Sequence, residues 1–264
     1  MKLAFGIEYD GSNYHGWQSQ DDVATVQGVL EKAISQIADQ PVRVYCAGRT
    51  DTGVHGLGQV VHIETDVIRK DSAWLFGVNA NLPNDISVKW IKQVQEDFHA
   101  RFSATRRVYQ YYILNRQARS AFLSKKVVWE RRPLSLEKMK QAASFLIGTH
   151  DFSAYRSQAC QAHSPIRTIY RLELRKQGPI ITLEIEANAF LHHMVRNISG
   201  VLMEVGMERA KPEWARDVLE CRDRRLGGVT APPDGLYLVK VFYPEIFDLP
   251  RTESICPVQV LPDL

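Results

Sequence analysis

Apolar and polar residues alternate at the start of the chain, and the spacing then changes to that of a helix. The alternation predicts a strand, and apolar residues repeating every three to four positions predict a helix with one buried face. Two β-branched runs then flank a glycine-rich loop, and a helix and a strand follow. The predicted order is β-α-β-β-α-β, with elements at 3–9, 26–37, 42–46, 60–63, 72–80 and 86–94.

The same order recurs in the second part of the chain, with one additional helix. The predicted elements are a strand at 108–114, a helix from Ser135 to near Gly148, strands at 169–174 and 180–185, helices at 190–205 and 212–219, and a strand at 236–242. We therefore expect a mixed α+β fold of two ferredoxin-like (RRM-like) β-α-β-β-α-β halves, with mostly antiparallel sheets flanked by helices.

The apolar pattern pauses and the charge rises between Asp97 and Arg107, which indicates a domain boundary. The predicted division is an N-terminal half at 1–104, a C-terminal half at 105–243 and a C-terminal tail at 244–264. The tail has four prolines and little periodicity, which is typical of an extended segment.

The composition of the chain limits the classes of protein to which it can belong. A chain of 264 residues with 45% hydrophobic content can bury one large core or two small ones. No segment has the uninterrupted apolar length of a membrane helix, and the first ten residues include acids where a signal peptide is apolar, so we expect a soluble, cytoplasmic protein. The four cysteines lack the CxxC spacing of a zinc site and indicate no disulfide framework.

The net charge of +3 is too small to indicate a nucleic-acid partner, but its distribution is more informative. Basic clusters bind phosphate backbones, and aromatic side chains interleaved with them offer stacking surfaces for unpaired bases. Taken singly, each cluster is equally typical of a solvated face. The basic residues are Arg101, Arg106 and Arg107; Arg116, Arg119, Lys125, Lys126, Arg131 and Arg132; and Arg222, Arg224 and Arg225. The aromatic ones are Phe98, Phe102, Tyr109, Tyr111 and Tyr112.

The run AGRTDTGVHG at 47–56 places one carboxylate, Asp51, among glycines, an arginine and two threonines. In one interpretation Asp51 makes a turn, and Gly48, Gly53 and Gly56 supply left-handed backbone conformations. In the other, Asp51 is a nucleophile. Ten near-specified positions are far more specific than a glycine pattern alone.

This loop resembles the catalytic loop of the TruA family of tRNA pseudouridine synthases, and the resemblance extends from Leu3 to Tyr243. Thr52 and Gly56 stand where the family more usually has alanines, and neither position bears a catalytic group. The other matching segments are EYDGSNYHGWQ at 8–18, FHARFSATRRVYQYYI at 98–113, FLHHMVRNISG at 190–200 and TAPPDGLYL at 230–238.

The resemblance implies the pseudouridine synthase fold and the isomerisation of uridine to pseudouridine at positions 38, 39 and 40 of the tRNA anticodon stem-loop. It also implies a homodimer that needs no cofactor, with the target base flipped into a cleft between the two halves. The reaction breaks the N1–C1′ bond and remakes it at C5, and an ionised carboxylate can attack the nucleoside or take a ribose proton. Asp51 is the candidate, and which of these steps it performs stays open.

A single carboxylate in the loop fits an isomerase better than a glycosidase, which needs a second one to protonate the leaving group and direct water. Glu184 and Glu186 are the alternatives for such a second group. A charged Asp51 in a closed pocket requires a cationic partner. Arg196 lies opposite the apolar arc of its predicted helix, where an exposed arginine is the simpler interpretation, but the resemblance places it in an ion pair with the catalytic aspartate.

The resemblance also matches Tyr109 to the active-site tyrosine, whose ring would stack on the flipped base; from the pattern alone it is an ordinary strand tyrosine. Arg49 would fill the place of the flipped nucleotide or bind its phosphate, and the alternative is a salt bridge that stiffens the loop. We predict RNA contacts by Arg49, Arg101, Arg106 and Arg107.

Three other functions are less favoured. The histidines at 55, 62, 192 and 193 do not converge as metal ligands, since 192 and 193 are adjacent on the predicted helix and should point apart. A non-catalytic RNA-binding protein with RRM-like units would explain the basic clusters but lacks the RNP1 aromatic string. A nucleotide-binding enzyme would require the lysine of a P-loop after Gly53, and none is present.

Overall fold

The computed structural model describes residues 1–250, 256 and 258, which form two compact units. Among them, the first unit holds residues 1–106, 237–250 and 256, and the second holds residues 107–236 and 258. The division at 104 and 243 stays a prediction. Of the predicted tail at 244–264, positions 251–255, 257 and 259–264 lie outside the described residues.

The first unit is a sheet with two helices. Its elements are β1 (Lys2–Tyr9), α1 (Val26–Ala38), β2 (Tyr45–Cys46), β3 (His55–Glu64), α2 (Asp71–Asn81), β4 (Ile86–Val94) and β10 (Leu236–Phe242). The strand order is β4-β1-β3-β10, with β2 paired to β3. Only the β3–β10 pair is parallel among these described strands. The last strand among the described residues therefore joins the sheet that carries the first strand.

Helix α1 forms where the spacing of apolar residues predicts a helix, and capping residues define both of its ends. Thr25 caps its N-terminus by accepting a hydrogen bond from the Gly28 N–H, and Asp39 ends it in a left-handed conformation. The apolar arc, represented by Leu30 and Ile34, is fully buried in the core of the first unit. Burial of this arc holds the helix against the sheet.

The second unit also combines a sheet with helices. Its elements are β5 (Arg106–Asn115), β6 (Val128–Glu130), α3 (Leu136–Ser144), β7 (Gly148–Asp151), β8 (Ile166–Gln177), β9 (Ile180–Ala187), α4 (Met194–Gly206) and α5 (Trp214–Cys221). The strand order is β5-β9-β8-β7, all antiparallel, and β6 pairs with β5 in parallel. The expected mixed α+β fold with mostly antiparallel pairing is confirmed.

The differences from the predicted elements have local causes. The strand expected at 42–46 is reduced to β2, because the N–H groups of Val42 and Val44 bond to the side chains of Ser35 and Glu31 on α1. The helix expected from residue 190 begins at Met194. The short strands β6 and β7 were not predicted, since three or four residues carry too little periodicity.

Within the described part of the chain, no helix combines the length and the apolar composition needed to cross a bilayer.

We expect Ile34→Ala to destabilise the protein by about 2–5 kcal/mol, because it removes fully buried carbon atoms and leaves a cavity. The free energy of unfolding can be measured by chemical denaturation followed through tryptophan fluorescence. Ile68, which is 87% exposed, provides the control, and Ile68→Ala should change stability by less than about 0.5 kcal/mol. Equal losses in the two variants would contradict the packing described for α1.

Candidate active site

The run at 47–56 connects β2 to β3 and contains a tight turn. The Val54 N–H donates to the Asp51 carbonyl oxygen at 3.1 Å, which makes Asp51 the first residue of the turn. Gly53 has a φ of 78°, the conformation that a type II turn reserves for glycine at this position. Asp51 therefore is a turn residue, and its partly buried side chain stands at a corner whose backbone is fixed.

The expectation that Gly48 and Gly56 also adopt left-handed conformations is wrong, because neither has a positive φ. Gly56 is instead a position of close approach. A Cβ there would lie 2.4 Å from the ring of Tyr9, so the absence of a side chain lets β1 and β3 meet at this point.

The segment at 8–18 anchors the loop by several hydrogen bonds. The Trp17 N–H donates to the Thr50 carbonyl oxygen at 2.9 Å, and the Gly53 N–H donates to the Tyr14 carbonyl oxygen at 3.3 Å. The hydroxyls of Tyr9 and Thr50 bond to each other at 2.8 Å in a buried position. These contacts give a structural reason why two separate sequence motifs occur together.

The other end of the loop is held by Gln59 of β3, which is fully buried. Its side-chain amide donates to the Gly48 carbonyl oxygen at 2.7 Å and accepts from the Gly48 N–H at 3.4 Å. The Ala47 N–H donates to the Val60 carbonyl oxygen. Gln59, Tyr9 and Thr50 were not singled out from the sequence, although Tyr9 lies within a matching motif.

Two of the predicted RNA-binding arginines lie close to Cys46, at the end of β2. Burial raises the pKa of the Cys46 thiol to about 12, and the positive charges of Arg49 and Arg101 act against that shift. Both arginines are exposed. Arg106 is also exposed, and its guanidinium stacks over the ring of Phe242 at 4.3 Å.

In the second unit, the structure distinguishes the three tyrosines of β5. Tyr111 donates to the Pro232 carbonyl oxygen, Tyr112 donates to the Gln110 side chain, and both are fully buried. Tyr109 lies edge-to-face with Phe190 at 5.0 Å between ring centroids. The hydroxyls of Tyr111 and Tyr112 thus have structural roles, a distinction that the sequence did not provide.

Arg196 occupies the first turn of α4 and is only partly buried, in a helix whose other residues are almost all buried. Its Nε donates to the Ala231 carbonyl oxygen at 2.9 Å, and its own carbonyl oxygen accepts from the Ala231 N–H at 3.1 Å. Burial raises the pKa of Tyr111, and the charge of Arg196 opposes that shift. The side chain is therefore fixed close to Tyr111; its pairing with Asp51 stays a prediction.

Hydrogen bonds from a second arginine, Arg224, hold the segment after α5 against α4. Arg224 donates to the carbonyl oxygens of Gly227 and Gly228, to the Asn197 side chain and to the Thr230 hydroxyl. Arg224, one of the basic residues noted in the sequence, is thus held by internal acceptors. It fixes the segment that also bonds to Arg196.

Two further sequence candidates have internal partners as well. Arg107 is buried and donates to the Asn188 carbonyl oxygen at 3.0 Å, while RNA binding by the four arginines stays a prediction. Glu184 is buried, accepts from the Gln110 amide at 2.5 Å and pairs with Arg171 at 2.5 Å. A carboxylate engaged by two internal partners is not free to contact a substrate.

The histidines are not arranged as expected. His55 accepts from the Gly11 N–H at 3.1 Å and stacks on Tyr237. His192 and His193 precede α4, and their rings lie 4.0 Å apart rather than pointing away from each other. The reason is that His193 has a φ of 62°, which stops the helix from extending back to residue 190.

Comparison with known proteins shows which family this chain resembles over most of its length. A family model described as tRNA pseudouridine synthase matches residues 7–103 and 142–244, which include Asp51 and Arg196 but not Tyr109. The tRNA pseudouridine synthase A of Nitrosococcus oceani is 56% identical over 251 residues, 95% of this chain and 97% of that protein. The enzyme of Alcanivorax borkumensis is 55% identical over 263 residues, 99% and 98% of the two chains. That of Citrobacter koseri is 55% identical over 251 residues, 95% and 93%.

We expect Tyr9→Phe to destabilise the protein by about 1–3 kcal/mol, because it leaves the buried Thr50 hydroxyl without this partner. Amide hydrogen exchange at residues 50–54 should also become faster, since the loop loses one anchor. Tyr170→Phe, at a half-exposed position on β8, is the matched control and should change neither quantity. Unaltered exchange in Tyr9→Phe would contradict the anchoring role.

Proposed function

The chain belongs to the tRNA pseudouridine synthase family, and from this premise we propose that it isomerises uridines 38, 39 and 40 of the tRNA anticodon stem-loop with Asp51 as the catalytic carboxylate. The observation that supports this most is the loop at 47–56. Its backbone is anchored at Gly48, Thr50 and Gly53, so the carboxylate at the corner is held before the substrate arrives. Catalytic groups need such positioning by rigid surroundings.

The reaction is an internal exchange of bonds. The N1–C1′ bond of the uridine breaks, the base turns, and C5 bonds to C1′; the C5 proton is lost and N1 is protonated. The uracil anion is delocalised enough to leave without a strong acid, so a single carboxylate suffices. Asp51 attacks C1′, adds to the base or removes the C2′ proton, and these three routes remain open.

The internal pairing of Glu184 favours an isomerase over a hydrolase. A glycosidase needs a protonated second carboxylate to assist the leaving group. Glu184 is buried, accepts a hydrogen bond from Gln110 and pairs with Arg171, so its carboxylate is occupied by internal partners. Glu186, the other alternative, is also buried and lies 3.8 Å from the Arg171 guanidinium, and we propose Asp51 as the catalytic carboxylate.

We assign Arg196 as the cationic partner of Asp51. Its side chain is fixed by Ala231, and it is partly buried, so its charge is less screened than that of a surface arginine. A fixed guanidinium beside a carboxylate keeps the carboxylate ionised in a site that excludes water.

Tyr109 and the four arginines indicated by the sequence complete the proposal. The Tyr109 ring would stack on the flipped uracil, and its hydroxyl would help to move the C5 proton. Arg49, two residues from Asp51, would fill the space left by the flipped nucleotide, and Arg101, Arg106 and Arg107 would contact the RNA. We also propose a cytoplasmic homodimer that needs no cofactor.

Asp51→Asn should lower the rate by about 10⁴-fold or more, because it removes the carboxylate charge while keeping the shape of the side chain. The assay is tritium release from an unmodified tRNA transcript that carries 5-tritiated uridine, since the C5 hydrogen is lost on isomerisation. Asp66→Asn, at an exposed position of the same unit, is the control and should retain full activity.

Release from uridines outside the anticodon arm would contradict the proposed positions. Tight tRNA binding without release by the unchanged protein would contradict the proposed reaction and would indicate a non-catalytic RNA-binding protein. Equal rates for Asp51→Asn and the unchanged protein would remove Asp51 from the mechanism.

Arg196→Ala should reduce turnover severely and move the acidic limb of the pH profile of kcat/KM to higher pH by about 1–3 units. The sign follows because loss of a neighbouring positive charge favours the protonated carboxylate. Arg196→Lys keeps the charge and should keep the limb closer to its original position. Arg119→Ala, at an exposed site in the same unit, controls for a general charge effect. A folded Arg196→Ala variant with normal turnover would refute the pairing.

A further inference from the structure

A row of aromatic rings lies on the surface of the first unit, formed by Tyr45 of β2, His62 of β3, and His99 and Phe102 of the loop after β4. The Tyr45 ring stacks on His62 at 5.0 Å and 19°. His62 meets His99 at 4.6 Å, and His99 meets Phe102 at 4.3 Å. The rings therefore form one continuous group.

The two ends of this row are exposed. Tyr45 is 44% exposed and Phe102 is 76% exposed, whereas His62 between them is buried. Exposed aromatic rings contribute little to the stability of the fold, and aromatic groups clustered at a surface often mark a binding site. Phe76 of α2 is similarly exposed, at 70%, but has no ring or guanidinium partner within the described residues.

The position of Phe102 is fixed by its own loop. The His99 Nδ1 accepts from the N–H groups of Arg101 and Phe102, at 3.1 and 3.3 Å. The His99 N–H donates to the Ser103 hydroxyl, and the Ser103 N–H donates to the His99 carbonyl oxygen, both at 2.9 Å. An exposed ring held in this way loses little conformational entropy when a partner stacks on it.

Both imidazoles of the row are neutral at neutral pH. Burial lowers the pKa of His62 to about 3, and His99 and Lys2 add to that shift. Burial also lowers the pKa of His99, with the charges of Lys2 and Arg101 adding to it. These two rings of the row therefore carry no charge at neutral pH.

Positively charged side chains lie beside these rings. The Arg101 guanidinium lies 5.5 Å from the centre of the Phe102 ring, and both Arg101 and Arg49 act on Cys46, the residue after Tyr45. The acidic Glu64, which acts on His99, is paired with Lys2 at 3.4 Å. Flat rings beside guanidinium groups fit unpaired bases and their phosphates.

We propose that Tyr45, His99 and Phe102 form a stacking site for an unpaired base of the RNA substrate, with the phosphates beside that base bound by Arg101 and Arg49. The inference rests on the proposed function, because it takes the substrate to be RNA. The site is continuous with the loop of Asp51, since Arg49 belongs to both. Charge complementarity favours RNA over a second copy of this chain, whose net charge of +3 is of the same sign.

The test compares Phe102→Ala with Phe76→Ala in the full-length protein. Both variants remove an exposed phenyl ring from the first unit, and neither should affect folding. The dissociation constant for an unmodified tRNA transcript should rise between about 5-fold and 100-fold in Phe102→Ala, as expected for the loss of one stacked base, and should not change in Phe76→Ala. Phe102→Trp should restore binding.

The salt dependence of tRNA binding distinguishes the contribution of the rings from that of the arginines. Phe102→Ala should leave the slope of log Kd against log salt unchanged, because a phenyl ring neutralises no phosphate. Arg101→Ala should reduce the magnitude of the slope by about 1, as expected for the loss of one phosphate contact. A loss of slope in Phe102→Ala would contradict a stacking role for the ring.

Three outcomes separate this inference from the proposed function. If the unchanged protein releases tritium and Phe102→Ala binds tRNA as tightly as Phe76→Ala, the stacking site alone is refuted. If the unchanged protein binds tRNA but releases no tritium, the proposed reaction fails, and the binding constants still decide on the stacking site. A lower molar mass of Phe102→Ala by light scattering, with tRNA binding unaltered, would assign the rings to a contact between copies and overturn the proposal.

Discussion

The first unit depends on hydrogen bonds that satisfy the backbone of an irregular loop. A loop without helix or sheet partners carries polar groups that are costly to bury, and each needs a donor or an acceptor. Gln59 supplies both to Gly48, while Trp17, Tyr14 and Tyr9 supply partners to Thr50 and Gly53. The position of Asp51 follows from these contacts, and the strands β1 and β3 serve as the frame that holds the donors in place.

The second unit uses the same principle with different groups. Arg224 donates to three acceptors on the segment beside α4 and to the Asn197 side chain of α4 itself, and Arg196 exchanges two hydrogen bonds with Ala231 of that segment. Arginine suits this task because its planar guanidinium offers five donors in a fixed geometry. Basic residues that the sequence groups with an RNA surface thus divide into two kinds, those that organise the protein and those, such as Arg49 and Arg101, that are exposed.

Hydrophobic periodicity was sufficient to predict the long helices and strands. It failed where the conformation of a single residue determines where an element begins. Helix α1 and strand β4 have strong patterns and agree with their predictions, whereas α4 starts late because His193 adopts a left-handed conformation. The pattern alone left Asp51 as a turn residue, which it is; only the resemblance added a catalytic role. The anchoring by Tyr9 and Gln59 could not be predicted, because such contacts join positions far apart in sequence and depend on the register of the strands.

The parallel pairing of β10 with β3 means that two segments far apart in the sequence, 1–106 and 237–250, build the first unit. Tyr237 lies opposite His55, at the point where the loop of Asp51 enters the sheet, and the two rings stack. On the ribosome, residues 1–106 leave the exit tunnel long before this strand is synthesised, and domains tend to fold as their sequence becomes available. The first unit is therefore incomplete, with residues 55 and 56 of β3 lacking this partner strand, until β10 has been synthesised. Premature termination before residue 237 would yield a chain that carries every residue of the loop but lacks the strand that completes its support.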